Sequence, residues 1–292
     1  MNKVVVEDLS LPKNEFRISI TSLCNMKCVY CHNEGNNNKN MLSLSDIKKI
    51  LDNSYGLHMS HIRLTGGEPL IHPQIYEICK MLYEDYNLKI GINTNCVEIT
   101  KLLQLIEKGW IDRVVVGLDY YNGKVSKNSI IGVSSKTILK NILKIKNTGC
   151  NVSISTVYNN DYDNIYNLVN WCVTNNIRIK IIELIENKIY DESDLNYIDM
   201  RNKIIEDFDF DVMIDELEEF NCYKNNFNYV SFFPSLCRIR RCDICKKVHL
   251  RITADGKIKQ CLHYSEKDKD VLGSNSRKNI LETIKSEVDF HR

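Results

Sequence analysis

The amino-acid sequence predicts an α/β fold: a partial (β/α)6 TIM-like barrel followed by a smaller C-terminal α+β domain. Between about residues 15 and 186, six short apolar segments rich in β-branched residues alternate with amphipathic segments of helical period. Such alternation is typical of parallel strands joined by right-handed helical crossovers. Six units are too few to close an eight-unit barrel. Because the alternation stops after about residue 190, we expect two domains, residues 1–190 and 191–292.

Six segments of the N-terminal part have the length and composition of buried strands. They are FRISIT (16–21), HIRLT (61–65), LKIGINT (88–94), RVVVGLD (113–119), NVSISTVY (151–158) and RIKIIELI (178–185). The helical segments between them have boundary signals, such as Pro73 before the second and Gly109 and Gly149 at the ends of the third and fourth. These five helices are predicted at 44–53, 74–86, 98–109, 135–149 and 162–176.

The C-terminal part follows a different pattern. An acidic stretch at 191–220 is expected to be partly helical, and NYVSFF (228–233) resembles a strand. The segment HLRITADGKIKQCL (249–262) predicts a hairpin that turns at Asp255 and Gly256. A closing helix is expected at 276–288. Together these elements predict the small α+β domain.

Composition limits the function classes. The chain has 292 residues and a net charge of +1, so global charge points neither to nucleic acid nor to a membrane surface. The N-terminus lacks the cleavage site of a signal peptide, and we expect a cytoplasmic protein. Twelve cysteines are many for that compartment, where clustered cysteines more often bind metal than form disulfides.

The first cysteine cluster follows the first predicted strand as CNMKCVYC, with Cys24, Cys28 and Cys31 at C-x3-C-x2-C spacing. This position places it at the carboxyl ends of the strands, where such folds do their chemistry. Three thiolates can hold three irons of a [4Fe–4S] cluster and leave the fourth open. A structural zinc site needs four ligands, and His32 is the local candidate for the fourth. We favour iron–sulfur over zinc.

The second motif, RLTGGEPLIHP, follows the second predicted strand and therefore lies on the same rim. Adjacent glycines, Gly66 and Gly67, let backbone groups approach a ligand closely. Glu68 can accept hydrogen bonds from an ammonium group. Alone, the motif is also compatible with a simple turn; its pairing with the three cysteines on the neighbouring strand makes it specific.

Together these two motifs resemble those of the radical S-adenosylmethionine (SAM) superfamily. The resemblance implies that SAM chelates the open iron, that one electron from the cluster cleaves its sulfonium bond, and that a 5′-deoxyadenosyl radical abstracts hydrogen from the substrate. It implies a first [4Fe–4S] cluster on Cys24, Cys28 and Cys31. The residues implied to bind SAM are Tyr30, Gly66, Gly67, Glu68, Pro69, Thr94, Asn95 and Gly117, the last where relatives often carry Ser.

Further motifs, in the same order and at similar intervals, resemble the MoaA family, the GTP 3′,8-cyclases of molybdenum-cofactor biosynthesis. They include INTN, DRVVVGLD, IIELIE and HLRITADGKIKQCL. The resemblance implies a second [4Fe–4S] cluster on Cys242, Cys245 and Cys261, whose open iron binds the substrate purine. The residues themselves leave two alternatives: a structural zinc site with Cys237 as fourth ligand, or an iron–sulfur cluster bound by all four thiolates.

The substrate positions depart from the MoaA pattern. Arg17 and Arg251 match substrate arginines, whereas His249 and Lys180 stand where that family has arginine. Ser153 replaces a phosphate-binding lysine, and the chain ends DFHR instead of Gly-Gly. A triphosphate needs several Arg or Lys partners, so these changes predict weakened binding and a scaffold adapted to another substrate.

We therefore predict a radical SAM enzyme, most simply a MoaA-like cyclase acting on GTP or a related nucleotide. The alternative is a radical SAM maturase that modifies a peptide side chain. A zinc-stabilised binding protein without activity is the third hypothesis. We expect a small-molecule substrate and a reductant such as flavodoxin or ferredoxin, and neither a nucleic-acid nor a membrane partner.

Overall fold

The computed structural model describes residues 15–28, 30–32, 39–121, 133–184, 195–210, 212–217, 220–225, 228–237, 239–262 and 264–286. Within these ranges, the backbone alone is described at 195, 212–217, 220, 221 and 246–249. The C-terminal residues 287–292, including the DFHR ending, lie outside the described residues.

Within the described ranges, all strands belong to one twelve-stranded sheet that does not close on itself. Its centre consists of β1 to β6, which run parallel in chain order. The partial (β/α)6 architecture predicted from the sequence is confirmed. The strands are β1 (Glu15–Thr21), β2 (His61–Gly66), β3 (Lys89–Thr94), β4 (Ile111–Gly117), β5 (Asn151–Tyr158), β6 (Arg178–Glu183), β7 (Val212–Leu217), β8 (Phe220–Lys224), β9 (Tyr229–Phe233), β10 (Arg251–Ile252), β11 (Lys257–Lys259) and β12 (Lys269–Asp270).

Helices connect the parallel strands where the periodicity predicts them. In the first, the Ser43 side chain accepts a hydrogen bond from the Asp46 N–H, and the Ser43 N–H donates one to the Asp46 carboxylate, which completes a capping box. Gly109 and Gly149 follow the third and fourth helices with φ of 74° and 84°. Glycine adopts this left-handed conformation, which often ends a helix, without steric strain from a Cβ atom. The helices are α1 (Leu44–Asn53), α2 (Ile75–Glu84), α3 (Thr100–Glu107), α4 (Ser135–Asn147), α5 (Tyr162–Thr174), α6 (Leu195–Asp207), α7 (Cys242–His249) and α8 (Ser276–Lys285).

The C-terminal segment extends the sheet at both edges. On one side β9 pairs parallel with β6, and β8 and β7 follow it antiparallel. On the other side β10 pairs parallel with β1, and β11 and β12 complete a small meander. The hairpin predicted around Asp255 and Gly256 is present, with Gly256 at φ 73°. The acidic stretch 191–220, expected to be partly helical, contains α6, and it also contains β7 and the start of β8, which were not predicted. The helix α7 was not predicted either.

The two faces of the central sheet differ in chemistry because side chains alternate along each strand. Phe16, Ile18 and Ile20 of β1 are fully buried among the helices, in the main hydrophobic core. The opposite side, which we call the cleft face, carries Asn93, Val115, Gly117 and Ser155, all of which line a cleft at the rim. Among the described residues, no helix is both long and apolar enough to cross a membrane.

One buried polar side chain links the start of β9 to the connection between α5 and β6. Asn228, 3% exposed, donates to the carbonyl oxygens of Cys172 (3.0 Å) and Ile177 (2.7 Å). Replacing Asn228 by Ala leaves two buried acceptors without this donor. We expect the free energy of unfolding to fall by about 1–3 kcal/mol, measured by urea denaturation. Asn167→Ala, which removes an exposed bond to the Asp163 carbonyl within α5, should cost less than about 0.5 kcal/mol; equal losses would contradict this role.

Candidate functional site

The candidate site is a cleft of about 240 Å³ at the carboxyl ends of the central strands. It contains the three cysteines that follow β1, the glycine pair that ends β2 and polar residues at the ends of β3 and β4. The position agrees with the rule that ligands bind at this end of parallel strands. Its lining residues include Cys24, Cys28, Tyr30, Cys31, Gly66, Gly67, Asn93, Thr94, Asn95, Gly117, Leu118, Asp119 and Ser155.

The three cysteines share one electrostatic environment. Burial raises the pKa of Cys28 to about 12, and the charges of Asp119, Cys31 and Cys24 act in the same direction. The pKa of Cys24 is also raised, chiefly by burial, although the N–H of Met26 lowers it by donating to the sulfur at 3.3 Å. Neighbouring thiols that repel one another as thiolates are stabilised by a cationic centre.

The cysteines suit a cluster with several irons. Among the described residues, no three His, Cys, Asp or Glu side chains converge on a single ion. A [4Fe–4S] cluster does not require convergence, because each thiolate binds a different iron. The donor set of three thiols in one loop therefore fits the cluster that the sequence predicts.

The glycine pair holds the backbone of the cysteine loop. The N–H of Gly67 donates to the Thr21 carbonyl (2.7 Å), and the N–H of Glu68 donates to the Leu23 carbonyl (2.8 Å). A Cβ on Gly66 would lie 2.1 Å from the Thr21 oxygen, and one on Gly67 would lie 2.0 Å from the Leu23 oxygen. The sequence interpretation assigned the close approach to a ligand. The structure shows a close approach to the protein's own backbone, at residues that also line the cleft.

Glu68 connects the glycine motif to the end of β3. Its carboxylate, 2% exposed, accepts hydrogen bonds from the Thr94 hydroxyl (2.9 Å) and from the backbone N–H groups of Asn95 (2.8 Å) and Leu70 (3.1 Å). Burial raises the pKa of this carboxyl, while the three donors act to lower it. Glu68 and Thr94 thus hold each other in place through this hydrogen bond. Their contacts with SAM remain predictions.

Asn95 reaches back to the cysteine loop. Its side-chain amide donates to the Asn25 side-chain oxygen (2.6 Å) and lies 3.9 Å from the Cys24 sulfur. Two residues earlier, on β3, the buried side-chain oxygen of Asn93 has no hydrogen-bond partner among the described residues. Because Asn93 lines the cleft, this oxygen is available to a ligand donor. The sequence analysis did not single out Asn93, although its parity on β3 relative to Gly91 marks it as cleft-facing.

Tyr30 and Asp119 close the opposite wall. The Tyr30 hydroxyl donates to the Asp119 carboxylate, whose other oxygen accepts from the Val157 N–H at 2.9 Å. Burial raises the pKa of both groups. Asp119 was missed as a site residue, although it ends a predicted strand. Beside it, a Cβ on Gly117 would come no closer than 4.0 Å to the Thr94 oxygen, so the wall is open there.

Deeper in the sheet, the cleft face is basic. Arg17 of β1 lies in register with Arg251 of β10 on one side and Arg63 of β2 on the other. The Glu15 carboxylate forms ion pairs with the guanidinium groups of Arg63 (N···O distance 2.9 Å) and of Arg113 on β4. Arg63 and Arg113 were not predicted as site residues, because the matching register of separate strands is not visible within any one of them.

Of the remaining residues predicted to bind substrate, Lys180 and Arg251 have described side chains and His249 does not. Lys180 of β6 lies in register with Ser155, a cleft residue, and its ammonium is 4.0 Å from the ring centroid of Phe233. His249 is the last residue of α7, and not part of an edge strand; its side chain lies outside the described part. Arg251 is 1% exposed and is the largest fully buried side chain described.

The second cysteine group comes from segments that follow β9 and β11. Cys242 and Cys245 occupy the first turn of α7, three residues apart and thus on one helical face. Cys261 is buried just after β11. Burial raises the pKa of the Cys245 thiol to about 12, and the charges of Cys237, Cys261 and Cys242 act in the same direction, so the four cysteines share one electrostatic environment. Cys79, Cys96 and Cys172 are buried core thiols, and Cys150 and Cys222 are partly exposed.

The close contact of Gly66 and Gly67 with the backbone of Thr21 and Leu23, which we call the glycine clamp, leads to a testable prediction. In Gly67→Ala, the new methyl group overlaps the Leu23 carbonyl and must displace the cysteine loop, so we expect loss of most of the iron bound at the first cluster after anaerobic reconstitution. Gly117→Ala, whose methyl group meets open space, should keep the wild-type iron content. Iron analysis and thermal denaturation of both variants provide the measurement. A Gly67→Ala protein with unchanged iron would show that the loop tolerates displacement.

Comparison with known proteins agrees with this site. A family model described as the Radical SAM superfamily matches residues 18–172, more than half of the chain. A probable GTP 3′,8-cyclase of Methanococcus maripaludis is 26% identical over 287 residues, covering 94% of this chain and 95% of the relative. A GTP 3′,8-cyclase of Clostridium botulinum is 30% identical over 280 residues, covering 88% of this chain and 83% of the relative.

Solved structures share the fold. Streptococcus suis SuiB bound to S-adenosylmethionine matches with a TM-score of 0.67 at 19% identity, over 92% of this chain and 65% of SuiB. This chain therefore spans less than two thirds of the length of SuiB. The protein anSMEcpe with bound AdoMet matches with a TM-score of 0.65 at 13% identity, over 92% of this chain and 80% of that one. The family match, the two cyclase relatives and the shared fold together show that the chain is an enzyme of the radical SAM superfamily.

Proposed function

We propose that the chain is a MoaA-like radical SAM enzyme that acts on GTP or a related nucleotide. The observation that carries this proposal is the basic cleft face directly below the cysteine rim. Two relatives named as GTP 3′,8-cyclases support it, because their similarity extends over most of the chain. Membership of the superfamily implies one [4Fe–4S] cluster and SAM.

Cys24, Cys28 and Cys31 would hold that cluster, and the glycine clamp would fix their loop. When bound, the cluster and SAM supply a 5′-deoxyadenosyl radical that abstracts a hydrogen atom from the substrate. Gly66, Gly67, Asn93 and Gly117 line the space where SAM would lie, and Tyr30 would cover its adenine. Glu68, Pro69, Thr94 and Asn95 stabilise the rim that forms this space.

The arginines of the cleft face would orient an anionic substrate. A triphosphate carries about four negative charges, and each charge-assisted hydrogen bond contributes about 1.5–3 kcal/mol. Arg17, Arg251 and Lys180 are the sequence-predicted members of this set, with His249 as a fourth; Arg63 and Arg113 share their face but already bind Glu15. This carboxylate moderates the positive charge, so a substrate with fewer phosphates is also compatible with the site.

A second [4Fe–4S] cluster on Cys242, Cys245 and Cys261 is part of the proposal. Arg251 joins this group to the cleft face, because it lies in register with Arg17 and acts electrostatically on Cys245. A substrate held near Arg251 would therefore lie between the two cysteine groups. The electrons would come from a reductant such as flavodoxin or ferredoxin, in the cytoplasm.

The alternative function is modification of a peptide side chain. It is favoured by the fold of SuiB, one of whose crystal structures contains a precursor peptide. At 19% identity this likeness concerns the fold. The row of arginines on the cleft face favours an anionic small molecule over a peptide side chain.

The decisive assay is 5′-deoxyadenosine formation by anaerobically reconstituted protein with SAM and dithionite, with and without GTP. We expect GTP to increase the yield and a cyclised purine product to appear. Cys28→Ala, which removes one cluster thiolate, should abolish the reaction in both conditions. Formation of 5′-deoxyadenosine that is indifferent to GTP would refute the nucleotide proposal, and precursor peptides would then be tested in the same assay.

Arg17 tests the charge argument separately. In Arg17→Gln, the loss of a charge-assisted contact should raise the KM for the nucleotide by about 10- to 150-fold, the equivalent of 1.5–3 kcal/mol. SAM cleavage without substrate should not change, since Arg17 lies below the rim. Arg201→Gln is the matched control, because that guanidinium on α6 bonds to the adjacent Asn202. An unchanged KM in Arg17→Gln would remove Arg17 from the substrate site.

A further inference from the structure

The second cysteine group contains a residue that the cyclase resemblance does not use. That resemblance assigns three ligands and an open iron to this cluster, whereas the structure places a fourth thiol, Cys237, beside them. Cys237 is partly buried, and it interacts electrostatically with Cys261 and Cys242. A purine can bind iron at this cluster only if Cys237 leaves one iron open.

The backbone turns Cys237 towards α7. The Ile239 N–H donates to the Ser235 carbonyl (3.2 Å), the Arg240 N–H to the Cys237 carbonyl (3.2 Å) and the Arg241 N–H to the Leu236 carbonyl (2.9 Å). Arg240 has φ 54°, the left-handed conformation that reverses the chain. Since α7 begins at Cys242, this turn folds Cys237 back against the first turn of the helix.

The turn is anchored on both sides. At its start, the Ser235 N–H donates to the buried Glu183 carboxylate at the end of β6 (2.6 Å). At its centre, Leu236 and Ile244 form a small hydrophobic cluster, against which Phe233, Ile239 and Cys245 pack. Leu236 precedes Cys237, and Cys245 packs against the Leu236 cluster, so this packing holds the segment that carries Cys237 against α7. These contacts involve protein groups alone.

We propose that Cys237 is the fourth ligand of the second cluster, so that all four irons are held by cysteine and none is open. This inference rests on the proposed second cluster. It changes the expected substrate binding: the substrate is held by the basic side chains of the cleft face and not by a bond to iron. The second cluster then acts in electron transfer or in holding the fold together.

The test isolates the second cluster in the full chain. Replacing Cys24, Cys28 and Cys31 together by Ala removes the first cluster, and iron, sulfide and zinc are then determined after reconstitution. We expect about four irons and four sulfides per chain. Mild oxidation with ferricyanide follows, because a cluster with one iron lacking a cysteine ligand readily loses it and becomes a paramagnetic [3Fe–4S] cluster.

The proposal predicts a clear difference between variants. In the triple variant, the cluster should survive oxidation with little [3Fe–4S] signal in electron paramagnetic resonance. Adding Cys237→Ala should produce a strong signal with loss of about one iron per cluster. Adding Cys222→Ala instead should leave the triple variant's behaviour unchanged, because Cys222 lies on β8, where its sulfur accepts a hydrogen bond from Ser231.

The outcomes separate the two proposals. If the triple variant releases iron as readily as its Cys237→Ala derivative, Cys237 is not a ligand, and the second cluster itself stands. If the triple variant binds zinc and no iron, the proposed second cluster fails and this inference fails with it.

A second measurement covers the case in which Cys237→Ala does not fold. Alkylation by iodoacetamide is compared in the loaded wild-type protein and after removal of iron by a chelator. Cys237 should be protected until the iron is removed, whereas Cys222 should react equally in both. Equal labelling of Cys237 in both states would overturn the proposal.

Discussion

The candidate site depends on two backbone hydrogen bonds, from Gly67 to Thr21 and from Glu68 to Leu23. They hold the loop of the first cysteines against the end of β2, at a separation that admits no side chain at either glycine. The Glu68 carboxylate extends this contact to β3 through Thr94 and Asn95, and Asn95 returns to Asn25 within the cysteine loop. Hydrogen bonds thus link the cysteine loop to the glycine motif, the glycine motif to the end of β3, and the end of β3 back to the cysteine loop. The described residues of this loop belong to no helix or strand, so these hydrogen bonds hold its backbone in place.

Charge is distributed in layers below this rim. At the rim lie the buried carboxyl group of Glu68 and the partly buried one of Asp119. Desolvation raises both pKa values, and both groups accept hydrogen bonds from the protein itself. One layer deeper, arginines of neighbouring strands lie side by side, with Glu15 between two of them. Like charges at this spacing destabilise the sheet unless an anion accompanies them. Glu15 offsets part of this repulsion through its ion pairs with Arg63 and Arg113.

The sequence predicted the β/α units and the rim because both depend on local patterns. Buried parallel strands are continuous apolar runs, and helices between them show their period and their caps. The cysteine and glycine motifs are likewise contiguous. What sequence reasoning missed depends on register or on short elements. Arg63 and Arg113 share the cleft face because separate strands place them on one side of the sheet beside Glu15. The strands β7 and β8 and the eight-residue helix α7 are too short, or too acidic, for their periodicity to be read.

The topology gives the second cysteine group a structural meaning as well. The central sheet is open, with β1 at one edge and β6 at the other, and the C-terminal segment adds strands to both. Cys237 follows β9, which pairs with β6, whereas Cys261 follows β11, which is joined through β10 to β1. Because Cys237 and Cys261 interact electrostatically, the cysteine group lies where the chain returns from one edge to the other.

A cluster that binds both residues would link the two edges of the open barrel. In a closed barrel, hydrogen-bonded strands would make this link. A cluster bound through Cys242, Cys245 and Cys261 alone would leave the β6 side tied by packing and hydrogen bonds. The role of Cys237 therefore decides both how the barrel is held and whether iron is left to bind a substrate.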